Sequence, residues 1–271
     1  MSAGASDNGT DVRPARHDRG VVYREQPTSV PGVVLWQRTA QGRARIMPDG
    51  CLDLIWDGRA LFAAGPDTAA RWHDCTPGSR YVALRFHFGI GPALLGVPAD
   101  ELRDRSVHLD ELLPSRAARR LADQVADHPV DSLTAWLMWR AADEAVDPLG
   151  RQVHAMASAA TPVARMADQL GMSARQLHRR CLPIFGYGPR RLARILRLSR
   201  ALDIARAGVP LADVAARCGY ADQAHLCRDA LALGGGTPAV LRGERGEEVY
   251  RVAVGVMDDG VPHSPEGVPR F

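Results

Sequence analysis

The spacing of apolar residues changes character part-way along the chain. Over residues 21–88 they come in short runs and alternations, the period of a β-strand; from Gly89 onward they recur at three and four residues, the period of a helix. Runs 33–36 and 51–56 are β-prone and bounded by Pro and Gly, with turn signals at Pro48-Asp49-Gly50 and Asp57-Gly58. Segment 81–88 alternates, with Val82, Leu84, Phe86 and Phe88 facing one way and Tyr81, Ala83, Arg85 and His87 the other. Several short strands of this kind predict a small β-barrel or sandwich, and a cupin-like cup is the specific expectation. Helices are predicted at 92–96, 98–103, 115–125 with Ser115 as its cap, 132–146 with Ser132 as its cap, and 149–157.

The stretch 161–242 carries the strongest pattern. Two helix-turn-helix units, joined by a long helix, repeat at a 48-residue interval: Ala167 with Gly171 in the first matches Ala215 with Gly219 in the second. The small Ala permits close packing of two helices, and the Gly supplies the backbone freedom that a tight turn needs. Thr161 is placed to cap the first helix, with Pro162 at its first position. Ser173 and Gln176 form a capping box for the second, and Asp222 occupies the matching cap in the second unit. Val163, Met166, Ala167, Leu170 and Leu177 fall on one face and are the expected core of the first unit. The joining helix, opened by Gly188-Pro189 and closed near 206–208, has some 18 residues, which at ~1.5 Å each span roughly 27 Å. Reading helices at its two ends would sit close to one duplex turn, ~34 Å, apart.

Charge sharpens this division. The chain of 271 residues carries a net +3, but residues 151–245 hold 15 Arg against 6 acidic residues, net +9, whereas 1–150 and 246–271 are each net −3. Every basic residue is Arg. A basic domain beside an acidic one suits a polyanion that meets only part of the chain. No run approaches the roughly 18 apolar residues of a membrane span. The polar N-terminus lacks the apolar core of a secretory signal, which predicts a cytoplasmic protein with a disordered segment at 1–20. The organisation expected is therefore α+β: a β-rich sensory or regulatory domain with trailing helices at 21–146, an all-α double helix-turn-helix domain at 147–245, and a flexible acidic tail at 246–271.

Catalytic chemistry finds little support. The five cysteines are odd in number and lack C-x-x-C spacing, which argues against a disulfide framework or a four-thiolate zinc site. Cys181 and Cys218 fall at core positions, and Cys227 is expected to be partly exposed. His73, Cys75 and His87 could meet in a β cup and hold a metal, but no paired-ligand spacing supports it, and neither metal nor cofactor is expected. Asp49 and Asp53 flank Cys51, and carboxylates there would raise the thiol and blunt it. No Ser-His-Asp arrangement, phosphate loop or dinucleotide fingerprint occurs.

The C-terminal region resembles the DNA-binding domain of the AraC/XylS family of transcription regulators. The resemblance is carried by GMSARQLHRR at 171–180, FGYGPRRL at 185–192, RLSRAL at 197–202, DVAARCGYADQAHLCR at 213–228 and Thr237-Pro238, over about 80 residues in the family's order. The N-terminal region resembles a domain of unassigned function that precedes this module in some actinobacterial members, through PDGCLDLIW at 48–56, AGPD at 64–67, LRF at 84–86 and LLGVPADELRD at 94–104. What this implies is a non-enzymatic, sequence-specific regulator whose two recognition helices enter successive major grooves. Its partners would be double-stranded DNA, RNA polymerase, a small-molecule effector and a second copy of the chain, with no membrane. Base contacts are assigned to Arg175, His178 and Arg179 in the first unit and Gln223, Cys227 and Arg228 in the second, and phosphate contacts to Arg190, Arg191 and Arg194. Two departures from the family's pattern, Ala230 where an aromatic is usual and the Gly run 234–236, predict a less tightly packed second unit. Two alternatives stay open: an alkyl-acceptor repair protein using Cys51, and an interaction protein that has lost DNA binding.

Overall fold

The computed structural model describes residues 23–143, 147–243 and 249–250. The expectations for 1–20 and for all but two residues of the tail fall outside them. The N-terminal half runs β1 (Tyr23–Pro27), β2 (Val33–Thr39), β3 (Ala44–Ile46), β4 (Leu52–Trp56), β5 (Leu61–Ala64), β6 (Arg71–His73), β7 (Arg80–Phe86), α1 (Gly91–Leu95), α2 (Ala99–Leu102), β8 (Ser106–His108), α3 (Leu109–Leu112), α4 (Ser115–Asp127) and α5 (Pro129–Asp143). Among the described residues the strands form an antiparallel sheet ordered β1-β2-β7-β4-β5-β8 and a smaller sheet ordered β6-β3-β9. In the latter, β9 (Val249–Tyr250) runs parallel to β3. Among the described residues the large sheet has β1 and β8 at its edges and does not close, so the expected barrel or sandwich resolves as two sheets.

The alternation read along β7 decides what each face does. Val82, Leu84 and Phe86 join Leu35 and Leu54 in a core with Leu94, Leu133 and Leu137 from the helices. Tyr81 and Arg85 point the other way and, with Trp36, Asp53, Ile55 and Phe62, line a cavity of about 80 Å³ beneath the small sheet. Phe88, expected in the strand, leaves it at φ 58°. Two caps expected in this half are absent. α4 begins at Ser115 itself, after Pro114. α5 begins at Pro129, and Ser132 Oγ donates to Gln124 O at 2.9 Å, tying α5 to α4.

The cavity floor is a buried ion cluster. Arg85 holds Asp53 through two bonds of 2.9 and 3.1 Å and lies 3.3 Å from Asp49, while the Trp36 indole donates to Asp53 at 2.8 Å. Burial alone would lower Arg85, but Asp53 and Asp49 outweigh it and hold the guanidinium charged. Each carboxylate of the cluster accepts at least one hydrogen bond, whereas Arg85 Nη1 meets Asp49 by an ionic contact without a hydrogen bond.

The C-terminal half comprises α6 (Pro148–Ser158), α7 (Val163–Gln169), α8 (Ala174–Phe185), α9 (Pro189–Arg206), α10 (Leu211–Arg217), α11 (Gln223–Gly234) and α12 (Pro238–Gly243). Met166, Ala167 and Leu177 are buried in one core that runs through α9 to Val214, Ala215 and Leu226, with Val163 and Leu170 partly buried against it. Gly171 and Gly219 turn at φ +64° and +71°, as the repeat predicted. Pro162, not Thr161, occupies the cap position of α7, without a side-chain hydrogen bond. Cys181 and Cys218 are buried, and Cys227 is half-buried.

The two halves meet at a seam that only glycine allows. A Cβ on Gly150 would lie 2.3 Å from Phe88 O, and one on Gly89 would lie 2.2 Å from Ile184 Cγ2. His154 of α6 stands edge-on to Phe88 there, with ring centres 4.8 Å apart. Burial, with a smaller push from His87, depresses its imidazole from 6.5 to about 4. Between those values the unfolded chain binds a proton that the folded one refuses, so folding weakens as pH falls from about 6.5 to 4, by about 3 kcal/mol in total. Asp67 works oppositely, because burial raises it to about 6 despite Arg71. Its contribution to stability declines as pH rises from about 4 to 6. In denaturant titrations across this window, His154→Gln should retain more stability at pH 4.5 than the wild type, and Asp67→Asn should retain less of the wild type's gain on acidification.

Candidate nucleic-acid interface

Each helix-turn-helix unit sets its second helix by its own cap. At α8 the Ser173 hydroxyl accepts from the Gln176 N–H while the Gln176 side chain accepts from the Ser173 N–H, the reciprocal box expected. At α11 the Asp222 carboxylate accepts from the His225 N–H at 2.6 Å. These caps fix the N-terminal turns of both helices, where the base-reading candidates lie. Arg175, His178 and Arg179 are exposed on α8, and Gln223 and Arg228 are exposed on α11, with Cys227 half-buried beside them. Among the described residues no hydrogen bond or ion pair engages Arg175, Arg179, Arg190 or Arg228.

The joining helix α9 has the expected 18 residues, and its first half forms a ridge between two basic grooves. One, of about 420 Å³, is lined by His178 of the first unit with Arg103, Arg190, Arg191 and Arg194. The other, of about 630 Å³, is lined by His225 of the second unit with Arg190, Arg194 and Arg197. Arg190 and Arg194 belong to both, so the two recognition helices border one continuous cationic surface. The His178 ring packs on the backbone at the start of α9, where a Cβ on Gly188 would fall 2.1 Å from its Nδ1. His225 is drawn into its own turn, edge-on to Tyr220 at 5.1 Å.

The structure divides the linker arginines. Arg190 is exposed and open. Arg191 is exposed, but its Nη1 donates to Thr68 O of the N-terminal domain at 3.0 Å. Arg194 and Arg197 each bond the Asp229 carboxylate of α11 at 2.8 Å, and Arg197 also lies over the Tyr220 ring at 4.2 Å. Asp229 is 4% exposed. This pair of bonds clamps α11 against α9 and fixes the second head to the rod. Sequence reading did not find Asp229; its only signal was a lone carboxylate on a recognition helix, about two turns past the Asp222 cap. The expected loose packing of the second unit is corrected: Ala230 is 0% and Leu233 2% exposed.

Other candidate chemistry does not assemble. His87 lies against Cys51, Nδ1 to Sγ 3.3 Å, whereas Cys75 sits with His73, so the three do not converge. Cys51 is buried, and its thiol is pushed well up by that burial, then by Asp49, against the opposing pull of Arg85. A thiol held in that state is a poor nucleophile.

Residues 166–244 match the family model described as a helix-turn-helix domain. The C-terminal domain is an AraC-type helix-turn-helix domain. Residues 33–108, which hold the cavity and every strand of the large sheet but β1, match a domain of unknown function. A probable AraC family transcriptional regulator from Rhodopseudomonas palustris is 22% identical, with 36% of this chain and 97% of that one covered at a TM-score of 0.33. Apo ToxT from Vibrio cholerae is 9% identical, covering 79% of this chain and 98% of that one at 0.43. ToxT bound to an unsaturated fatty acid is likewise 9% identical, covering 81% and 97% at 0.41. No curated protein matches the chain. Among the described residues no helix is long and apolar enough to cross a membrane.

The clamp on the AraC-type domain has a measurable consequence. Asp229→Ala leaves two guanidinium groups without their shared acceptor, and should lower unfolding free energy by about 1–3 kcal/mol in denaturant titration. Because Arg194 and Arg197 are partly solvated, the loss should stay below that for a fully buried pair.

Proposed function

We propose that the protein is a sequence-specific transcription regulator that reads one long duplex site through both heads of its AraC-type domain. The observation that carries this reading is the shared ridge: Arg190 and Arg194 line both grooves, one reaching His178 and the other His225. A rod of about 27 Å with a reading helix beyond each end supports a separation near the ~34 Å at which successive major grooves face one side of DNA. In this reading Arg175 and Arg179 bond guanine bidentately, and Gln223 bonds adenine. His178, Cys227 and Arg228 flank them, and Arg190 meets phosphate, with Arg191 and Arg194 adding charge to the same grooves from their intramolecular bonds. A protein acting this way works on chromosomal DNA in the cytoplasm and through RNA polymerase.

For the N-terminal domain, the polar cavity is the place for small-molecule sensing, although at about 80 Å³ it is smaller than an ordinary ligand site of roughly 300–1,000 Å³ and would have to widen. Its lid is the β3–β6 ribbon, whose inner residues Ala44, Ile46, Arg71 and His73 line it. A second surface supports self-association. The groove between α4 and α5 sets Arg116, Arg119 and Arg120 near one end and Asp123, Asp127 and Asp131 near the other, beside an exposed Trp139. Such a pattern is complementary to its own two-fold copy.

Arg179→Ala should weaken binding to a selected duplex by about 1–3 kcal/mol and relax one base position. Wild-type affinity should fall steeply with salt, because neutralised phosphates release counterions. Fluorescence anisotropy at 50 and 200 mM salt checks both, and an affinity indifferent to salt would remove the phosphate-binding surface from the argument.

A further inference from the structure

The Gly run at 234–236 is where the N-terminal domain docks on the second head. A Cβ on Gly234 would fall 2.9 Å from Met47 Cε and 2.6 Å from Leu241 Cδ1, and one on Gly236 would fall 3.3 Å from Arg45 Nη1. Gly235 turns at φ +67° and ends α11. Into this opening Arg45 extends from β3 and donates to Gly234 O at 2.7 Å, and the Ala70 N–H donates to Leu233 O at 2.6 Å. The last carbonyls of α11, which have no partners within their own helix, are thereby satisfied by the other domain. Arg45 is 7% exposed, and its guanidinium lies over Trp72, its cross-strand partner, at 4.5 Å. A cation at a helix C-terminus is also favoured by the helix dipole.

Resting on the DNA-reading function above, we propose that Arg45 of the N-terminal domain is a positioning residue for the second reading head. α11 is clamped near its middle at Asp229, about 9 Å from its reading end, so a tilt of about 10° about that point when the C-terminal tether is lost moves the reading end by about 1.5 Å. Base readout tolerates less than that. The first head is held separately, by Arg103 Nη1 donating to Gly186 O at 3.0 Å at the end of α8. Arg45 therefore acts on one head and leaves the other set. The same strand places Ala44 and Ile46 against the cavity, because successive side chains of a strand face opposite ways.

The test uses the full chain and a duplex selected from random DNA by the wild type, with base changes made in each half-site in turn. Arg45→Met keeps the stem and removes the donors; Arg45→Lys restores a donor. With Arg45→Met, affinity for the intact site should fall about tenfold, and the penalty for altering the second unit's half-site should largely vanish, while the penalty at the first stays at its wild-type value. Arg45→Lys should recover most of the second-half penalty. A general loss of stability would weaken both halves together, so the split separates positioning from folding. The proposal is overturned if Arg45→Met discriminates both halves as the wild type does, or loses both in proportion; should Arg45→Met not fold, an Arg45→Lys protein that loses both halves equally overturns it too. If the wild type selects no duplex at all, the regulator reading fails first and this inference falls with it.

Discussion

A helix cannot satisfy its own last carbonyls, and in this protein the second helices of both helix-turn-helix units hand that deficit to the N-terminal domain. Gly186 O at the end of α8 accepts from Arg103, and Gly234 O and Leu233 O at the end of α11 accept from Arg45 and the Ala70 N–H. The consequence is directional. The C-terminal ends of α8 and α11 are closed off, while the capped N-terminal turns, where Arg175, Arg179, Gln223 and Arg228 project, stay open to solvent. The remaining features of the interface follow from holding those two ends still.

The arginine excess of the C-terminal half has a similar logic. Fifteen Arg in 95 residues cannot all face one polyanion without repelling one another, and the fold sorts them. Arg180 pairs with Asp147, Arg194 and Arg197 share Asp229, and Arg191 reaches a backbone carbonyl of the other domain. Those contacts hold the rod to the second head and to the sheet domain. Arg175, Arg179, Arg190 and Arg228 are among those left without a side-chain hydrogen bond or ion pair among the described residues. Paired arginines still contribute field to the grooves they line, because a guanidinium bonded on one edge keeps donors on the other.

Much of this was legible in the residue pattern because the signals are local. The 48-residue repeat, the two glycine turns, the Ser173–Gln176 box and the Asp222 cap each depend on neighbours within a few positions. So does the alternation of β7, which placed Leu84 and Phe86 opposite Arg85 before any partner strand was known. The failures also share a cause. Thr161, Ser115 and Ser132 have the right chemistry for caps, but a proline beside or ahead of each sets the helix start by its fixed φ, and Ser132 finds a carbonyl of α4 instead. The Gly run at 234–236 looked like slack because its purpose, the close approach of Met47 and Arg45, lies nearly 190 positions away along the chain.

The sequence by itself determined the two reading heads, the rod between them, the sign and place of the charge, and the two-faced strands of the first domain, since helix caps, turn glycines and side-chain periodicity are properties of contiguous residues. Only the tertiary structure decided which arginines remain open, what the glycines at 89, 150 and 234 make room for, and that the sheet domain completes the ends of both reading helices. Those are meetings between residues far apart in the chain, set by how two cores pack against each other, and no local pattern encodes them.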